Sequence, residues 1–545
     1  MVNRVLVVLT LLCISANTSS ARGDEEILRV FLFAGQSNMV GSDSRARDVH
    51  RFPPFKDFDQ AQEDVLFTYC IGREHKHRSE GWVSLAPVND VIGPELSFAR
   101  TLRERIKAPI AVIKVAAGGT HLGGDWNPDE PQGFKMYPLM LETVRAALAE
   151  LDEKKIAYRV EAFMWHQGEN DMFEEGYMPA YGENLENFLA SWRRDLELPE
   201  LPFFIGELCT KTIWGMDLRP RMYAISVGQR YVTESDPLAT YVATSHVGVE
   251  IGGGVGLHYH YGTLGQLQHG VNYADAYLAS IGEPRETLRP LKAWPYKKRD
   301  KVKLFVLAGH RNMEGERAFV QDLKRGSSLL KDNSRVAYRY NLGGGYKVSE
   351  GWEPLGPAGC YDTFGPELSF GAAMSESREG RFAVAKFTHS GSQIIDWTPE
   401  GSEAVSRNLY ASFIEFVRTS VSSLEERGHE VELAGVLYHI GENDMSWGPF
   451  RRGAAERRGE LVQASRESLG LPELHWIVSQ QPPTDDEAVN EIDVTSMIAE
   501  VAAEDPHLTH LKAFDLPPQE KELVLDSAGV VALGEALAGA WLSLD

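Results

Sequence analysis

The segment FLFAGQSNMVG, residues 31–41, ends an apolar run in a Gly-Gln-Ser-Asn turn. Such a turn lifts the Ser37 hydroxyl from a buried strand onto a crevice, with the N–H groups of a following helix facing any negative charge that develops. A serine used as a nucleophile needs a base. GLHYHYGTLGQ, residues 256–266, offers His258 and His260 just ahead of an apolar helical pattern. A third segment, MWHQGEND at 164–171, brings amides and carboxylates to another strand end. Gln167 and Asn170 have side chains able to donate to an oxyanion, whereas Glu169 and Asp171 would suit the paired-carboxylate chemistry of a glycosidase. The His-x-His pair has no evident third and fourth ligand at metal-binding spacing, so neither a metal nor another cofactor is expected. The triglycine at 252–254 lacks the Gly-Lys-Ser/Thr ending of a phosphate loop and is read as a turn.

These segments recur in order along the chain, and the recurrence separates chemistry from frame. GQSNM at 35–39 faces GHRNM at 309–313, SEGWVSL at 79–85 faces SEGWEPL at 349–355, and GPELSF occurs at both 93–98 and 365–370. AVIKVAAGGTHL from Ala111 faces AVAKFTHSGSQI from Ala383, and FMWHQGENDM from Phe163 faces VLYHIGENDM from Val436. A weaker pair aligns Gly265 with Gly529 and so His260 with Val524. Ser37 becomes Arg311, Gln36 becomes His310 and Gln167 becomes Ile440, while Glu95, Lys114, Trp126, Glu169 and Asp171 keep identical partners. The losses fall on the groups that acyl transfer needs, which makes the first half the candidate enzyme and the second a copy without its chemistry. The shared carboxylates and lysine are thereby moved toward structural roles.

Short apolar runs alternate with stretches of helical period in both halves. Strands are expected at 28–34, 111–116, 160–165, 202–207 and 241–244, and again at 303–308, 383–388, 433–438, 475–479 and 511–515, with helices such as 136–152 and 180–197 between them. Alternation of this kind builds parallel sheets covered on both faces, with working loops at the strands' C-terminal ends. The domains expected are 24–285 and 300–545, joined by an exposed linker at 286–299 within a proline-containing basic stretch.

A chain of 545 residues is too long for one core, and 43% hydrophobic with 24% charged residues is ordinary for a globular protein. Residues 1–21 read as a secretory signal, with an apolar run too short to span a bilayer, so a secreted or periplasmic protein is expected. The formal charge of −23 disfavours nucleic acid and anionic membranes as partners. Beyond the leader Cys70, Cys209 and Cys360 form no CxxC pair and no even set, so buried free thiols are expected rather than a disulfide framework.

The motifs FLFAGQSNM, GPELSFA, IKVAAGGT, MWHQGEND and HYGTLGQ, in this order, resemble those of the sialate O-acetylesterase-like (SASA) carbohydrate esterases of the SGNH-hydrolase superfamily. The resemblance spans most of residues 28–283 and recurs in degenerate form over 303–545. It implies an α/β protein of two three-layer α/β/α (SGNH/flavodoxin-like) domains, each with a central, mainly parallel sheet of about five strands, and metal-free removal of O-acetyl groups from sugars such as sialic acid or xylan. On this resemblance Ser37 is the nucleophile, and the N–H groups of Ser37 and Gly119 with the Gln167 side chain form the oxyanion site, Asn170 being a further candidate. His260 fits as the base, because Gly265 follows it at the family's five-residue spacing, with His258 as the alternative. The family usually has Asp three residues before that histidine. Leu257 stands there, or Val255 if His258 is the base, leaving Glu250 or a backbone carbonyl to orient the ring. Gln36 and Trp126 are the candidates for contacting the sugar, Trp126 as a stacking wall, although its repeat as Trp397 supports packing equally. The competing reading is a non-catalytic, secreted glycan-binding protein.

Overall fold

The computed structural model describes residues 27–208, 212–213, 216–247, 259–284, 289–377, 380–404, 407–440, 442–445, 448–480, 494–512 and 524–544. The 1–21 leader, Cys209, Glu250, Val255, Leu257 and His258 lie outside them.

The strands of the first half's main sheet are β1 (Leu28–Gly35), β2 (Gln62–Ile71), β3 (His77–Arg78), β4 (Val83–Leu85), β5 (Ile110–Ala116), β6 (Tyr158–His166), β7 (Phe203–Gly206) and β8 (Ala239–Val242). They form one sheet in the order β8-β7-β6-β1-β5-β2-β3, with β4 antiparallel to β2. The six strands from β8 to β2 run parallel, one more than the expected five. The addition, β2, was missed because QEDVLFTYCI opens with three polar residues and so presents only a short apolar run.

β1 is central, and its sequence LRVFLFAG shows why. Val30, Leu32 and Ala34 enter one core with Met140, Val144, Phe188 and Trp192, while Phe31 and Phe33 enter the other with Phe98, Leu102, Tyr273 and Tyr277. A strand buried on both faces must be apolar without alternation. The first core lies under helices Met136–Glu153, Tyr181–Asp195 and Arg219–Ser235, and the second under Pro94–Arg105 and Gly262–Ser280. β1 also marks the point where connections diverge, with β5 on one side and β6 on the other. In open parallel sheets that is where the crevice lies.

The second half repeats the plan with β9 (Lys301–Gly309), β10 (Asn333–Leu342), β11 (Lys347–Val348), β12 (Glu353–Leu355), β13 (Phe382–Thr388), β14 (Glu430–Ile440), β15 (His475–Gln480) and β16 (Leu508–Lys512). The order β11-β10-β13-β9-β14-β15-β16 matches the first sheet strand for strand. Even the register shift of β1 against β6 at Val30/Phe31 recurs in β9 against β14 at Leu304/Phe305.

The halves pack on one another. Tyr346 and Tyr361 hydroxyls donate to Asn272 Oδ1 at 2.6 and 2.5 Å, His246 Nε2 lies 2.8 Å from Tyr361 OH, and Arg407 reaches buried Glu207 at 3.5 Å. The joint is not wholly exposed as its composition suggested. Tyr296 is buried with its hydroxyl on the Phe382 carbonyl, and Trp294 donates to His429 Nε2 at 2.7 Å. Among the described residues no helix is long and apolar enough to cross a membrane.

Candidate active site

Ser37 follows directly on β1. Gly35, at φ 152°, brings the chain so close to β6 that a Cβ there would overlap the His166 carbonyl, and the Gln36 N–H donates to His166 O at 3.1 Å. Only glycine at 35 fits that approach. The helix expected after Ser37 is a single turn, Ser37–Val40, closed by Gly41 in the left-handed region. A dipole that short contributes little.

Asn38, the next residue, ties this turn to the histidine loop. Its Nδ2 donates to Glu169 Oε1 at 2.6 Å and to the Tyr259 carbonyl at 3.4 Å, and its Oδ1 accepts the Tyr261 N–H at 3.2 Å. His260 is thus held against the Ser37 turn by main-chain bonds on both sides of it. Its Nδ1 lies 2.6 Å from Asp43 Oδ2, and its Nε2 is buried without a hydrogen-bond partner. That hydrogen bond, the largest influence on Asp43, holds its carboxyl below the usual range. Asp43 was not singled out in the sequence.

The loops after β5 and β6 lie next to the Ser37 turn. Gly118 lies against Ser37, and a Cβ on it would stand 3.5 Å from Ser37 Cβ. Gly119 takes φ +74°, and a Cβ there would be 3.2 Å from Arg73 Nη1 and 3.7 Å from Asn170 Nδ2. The Asn170 amide and the Arg73 guanidinium therefore approach Gly119, the residue next to the glycine that touches Ser37. Arg73, half exposed above Phe134, is a second residue the sequence reading passed over.

Two expected roles are revised by burial. Gln167 is fully buried, and its Nε2 is already directed at Gln36 Oε1 at 3.1 Å, the Thr120 carbonyl at 3.0 Å and Asp171. An amide so engaged is not free to meet an oxyanion, whereas Asn170 spends its Oδ1 on Gln36 Nε2 at 3.4 Å and turns Nδ2 toward Gly119. Gln36 and Trp126 are each fully buried. Gln36 Oε1 accepts the Gly168 and Asn170 N–H groups at 3.2 and 3.3 Å, and Trp126 donates to Thr120 Oγ1 at 3.0 Å while packing edge-on against Trp165. Neither can touch a sugar, so the stacking wall expected of Trp126 is a core contact.

The rival carboxylates are committed as well. Asp171 accepts the Leu122 and Gly123 N–H groups at 2.9 and 3.1 Å, with its carboxyl pushed up by burial, and Glu169 bonds His166 Nε2 at 3.0 Å. Both are fully buried, which leaves no route for a glycosidic bond to lie between them.

The second half keeps this framework with other residues at the Ser37 and His260 positions. Leu525 N donates to Asn312 Oδ1 at 2.6 Å and Phe319 N to Ser527 Oγ at 3.0 Å, repeating the Tyr261–Asn38 and Arg45–Thr263 bonds and placing Val524 at the His260 position. At the Ser37 position, Arg311 is buried in a two-point pair with Glu316 at 2.6 and 2.7 Å. Asp444 accepts the Ile394 N–H as Asp171 accepts Leu122.

Nearby Glu314, buried where the first half has Val40, accepts the Gly343 and Ser390 N–H groups at 3.2 Å, and burial pushes its carboxyl up to about 7. A raised carboxyl favours folding fully below its ordinary value near 4.5 and loses that contribution as pH rises through about 7. Glu314→Gln is expected to flatten this decline, gaining about 3 kcal/mol relative to wild type at pH 8 over pH 4.5. Urea titrations at the two pH values check it, and parallel slopes for both proteins would count against it.

The serine turn at the end of the central strand and the His260 loop ahead of the last helix, joined through Asn38, sit on a three-layer α/β/α fold. The chain belongs to the carbohydrate esterase family described as sialic acid-specific acetylesterase, whose sequence model matches residues 27–279 and again 301–543. A probable carbohydrate esterase of Arabidopsis thaliana is 24% identical over 269 residues, 46% of this chain and 91% of that protein. The solved structure of an Arabidopsis thaliana protein aligns over 46% of this chain and 98% of its own at 20% identity and TM-score 0.35. A carbohydrate acetylesterase from Xanthomonas citri aligns over 48% and 57% at 18% identity and TM-score 0.36.

Proposed function

We propose that the first half is a serine esterase that removes O-acetyl groups from carbohydrates, and that the second half is a non-catalytic copy. The observation that carries this is the buried, unpartnered Nε2 of His260, a residue whose two neighbours the Asn38 side chain ties to the Ser37 turn. Nε2 takes the Ser37 proton as Oγ attacks the acetyl carbonyl, then returns it to the departing sugar oxygen. Water repeats the cycle on the acyl-enzyme and releases acetate. The charge on the carbonyl oxygen meets the Gly119 N–H and Asn170 Nδ2, donors fixed in place before the reaction. Arg73 beside Gly119 favours a sugar that itself carries a carboxylate, as sialic acid does, over a neutral acetylated xylan.

Acetate release from O-acetylated sialic acid, acetylated xylan and an aryl acetate tests the reading. Turnover with preference for the acidic sugar is expected. Tight sugar binding without acetate release would instead establish the glycan-binding alternative. Asn170→Ala is expected to lower kcat by about 10²- to 10³-fold with little change in KM, because its amide meets charge that exists only in the transition state. Steady-state kinetics check this.

A further inference from the structure

His260 has a partner that the family pattern does not supply. The position three residues before it is Leu257, which cannot accept a proton or a hydrogen bond through its side chain. The bond to Nδ1 comes instead from Asp43, 217 residues earlier, in the turn that leaves the Ser37 helix. We propose that Asp43 is the positioning carboxylate of His260, supplied from the nucleophile's own turn in place of an acid at position 257. This rests on the Ser37–His260 reading above.

An aspartate 63% exposed at its side chain would ordinarily make a surface pair of little consequence. Three observations set this one apart. First, Asp43 sits at φ +64°, a left-handed conformation uncommon outside glycine, between two anchored neighbours. Gly41 closes the helix onto Ser37 O at 3.0 Å, and Ser44 Oγ bonds Gly41 O at 2.5 Å and Ile92 O at 2.8 Å while accepting Ile92 N–H at 2.8 Å. One residue on, Arg45 N donates to Thr263 Oγ1 at 2.8 Å, joining this turn to the helix that follows His260. The two side chains are therefore presented to each other by main-chain scaffolding.

Second, the two ring nitrogens have opposite surroundings. Nδ1 meets a carboxylate, and Nε2 is buried with no partner. The carboxylate accepts Nδ1–H, which fixes the tautomer and leaves the Nε2 lone pair for the serine proton. Third, the second half loses the pair as a unit. Arg317 stands at the Asp43 position and Val524 at that of His260, although the scaffold bonds at Phe319–Ser527 and Leu525–Asn312 persist. A surface contact of no consequence would have no reason to disappear together with the nucleophile.

Aryl acetate turnover by wild type, Asp43→Asn, Asp43→Glu and Ser37→Ala tests the proposal, together with the downfield imidazole N–H resonances of the full chain in wild type, Asp43→Asn and His260→Ala. Asp43→Asn is expected to lower kcat by about 10²- to 10⁴-fold, since the amide presents donors to Nδ1 and favours the wrong tautomer, while KM changes by less than about threefold. Asp43→Glu should restore part of the rate. One downfield resonance should vanish in both Asp43→Asn and His260→Ala. An Asp43→Asn enzyme within about threefold of wild-type kcat, beside an inactive Ser37→Ala, would overturn the proposal and leave the esterase reading standing. If wild type turns over no faster than Ser37→Ala, the esterase reading itself fails, and with it the assignment of a base for Asp43 to position.

Discussion

Ser37→Ala is expected to lower kcat/KM for ester hydrolysis by about 10⁴- to 10⁶-fold while leaving thermal stability close to wild type. The kinetic half of this follows from losing the atom that forms the acyl bond. What survives is the rate that the oxyanion donors and substrate binding sustain without a nucleophile, which is small but above that of water. The structural half follows from how the turn is held. Its bonds run through main chain and neighbours: Gln36 N to His166 O, Gly41 N to Ser37 O, and Asn38 to both sides of His260. None uses Ser37 Oγ. The second half supports the same conclusion, since its turn at 309–315 keeps the one-turn helix and the left-handed glycine with Arg311 in the serine's place. Acetate release and a melting curve on the same preparation check both halves. A variant that retains more than about a tenth of the rate would remove Ser37 from the mechanism.

The elements around this site were largely legible because each contains an apolar run of about four residues or more. β1, β5 and β6 carry LRVFLFAG, IAVIKVA and YRVEAFMWH, and each ends where a motif begins. β2 and β10 escaped notice for the opposite reason. QEDVLFTYCI and NSRVAYRYNL begin with polar residues, and they sit toward the sheet edge beside the short antiparallel strands. Ser37 could be singled out from its turn after a strand and His260 from its five-residue spacing to Gly265, and the second copy replaces both.

Asp43 carried the same signal, since Arg317 occupies its position at the same offset. It was overlooked because an acid just after the nucleophile has no local reason to meet a histidine more than two hundred residues on. Side-chain direction was the other blind spot. Trp126 and Gln36 lie in glycine-rich loops at strand ends, where exposure is the natural expectation, yet contacts with Thr120, Trp165, Gly168 and Asn170 turn both inward. Neither fact has a period or a spacing that a sequence could display.

Glu95→Ala is expected to destabilise the protein by about 3–5 kcal/mol while changing turnover per folded molecule little. Lys114, on β5, and Glu95, in the first turn of helix Pro94–Arg105, form a pair at 2.6 Å with side chains 1% and 3% exposed. Lys114 also donates to Val40 O at 3.3 Å, beneath the Ser37 turn. The space is so tight that a Cβ on Gly93 would collide with both charged groups. Burial alone drives the Lys114 ammonium toward deprotonation, and the Glu95 carboxylate is what opposes that. Removing the carboxylate strands a cation where water cannot reach it, and a domain's whole stability is only about 5–15 kcal/mol. The second half argues that this is framework: Lys386 pairs with Glu367 at 2.7 Å and donates to Glu314 O at 3.2 Å, the same geometry under a turn that has no nucleophile. A double replacement, Glu95→Leu with Lys114→Met, should recover most of the loss, because apolar groups of similar volume can replace a buried pair at little net cost. Chemical denaturation of the single and double variants decides it. A Glu95→Ala protein of wild-type stability whose kcat falls more than about 10²-fold would show instead that the pair belongs to the chemistry.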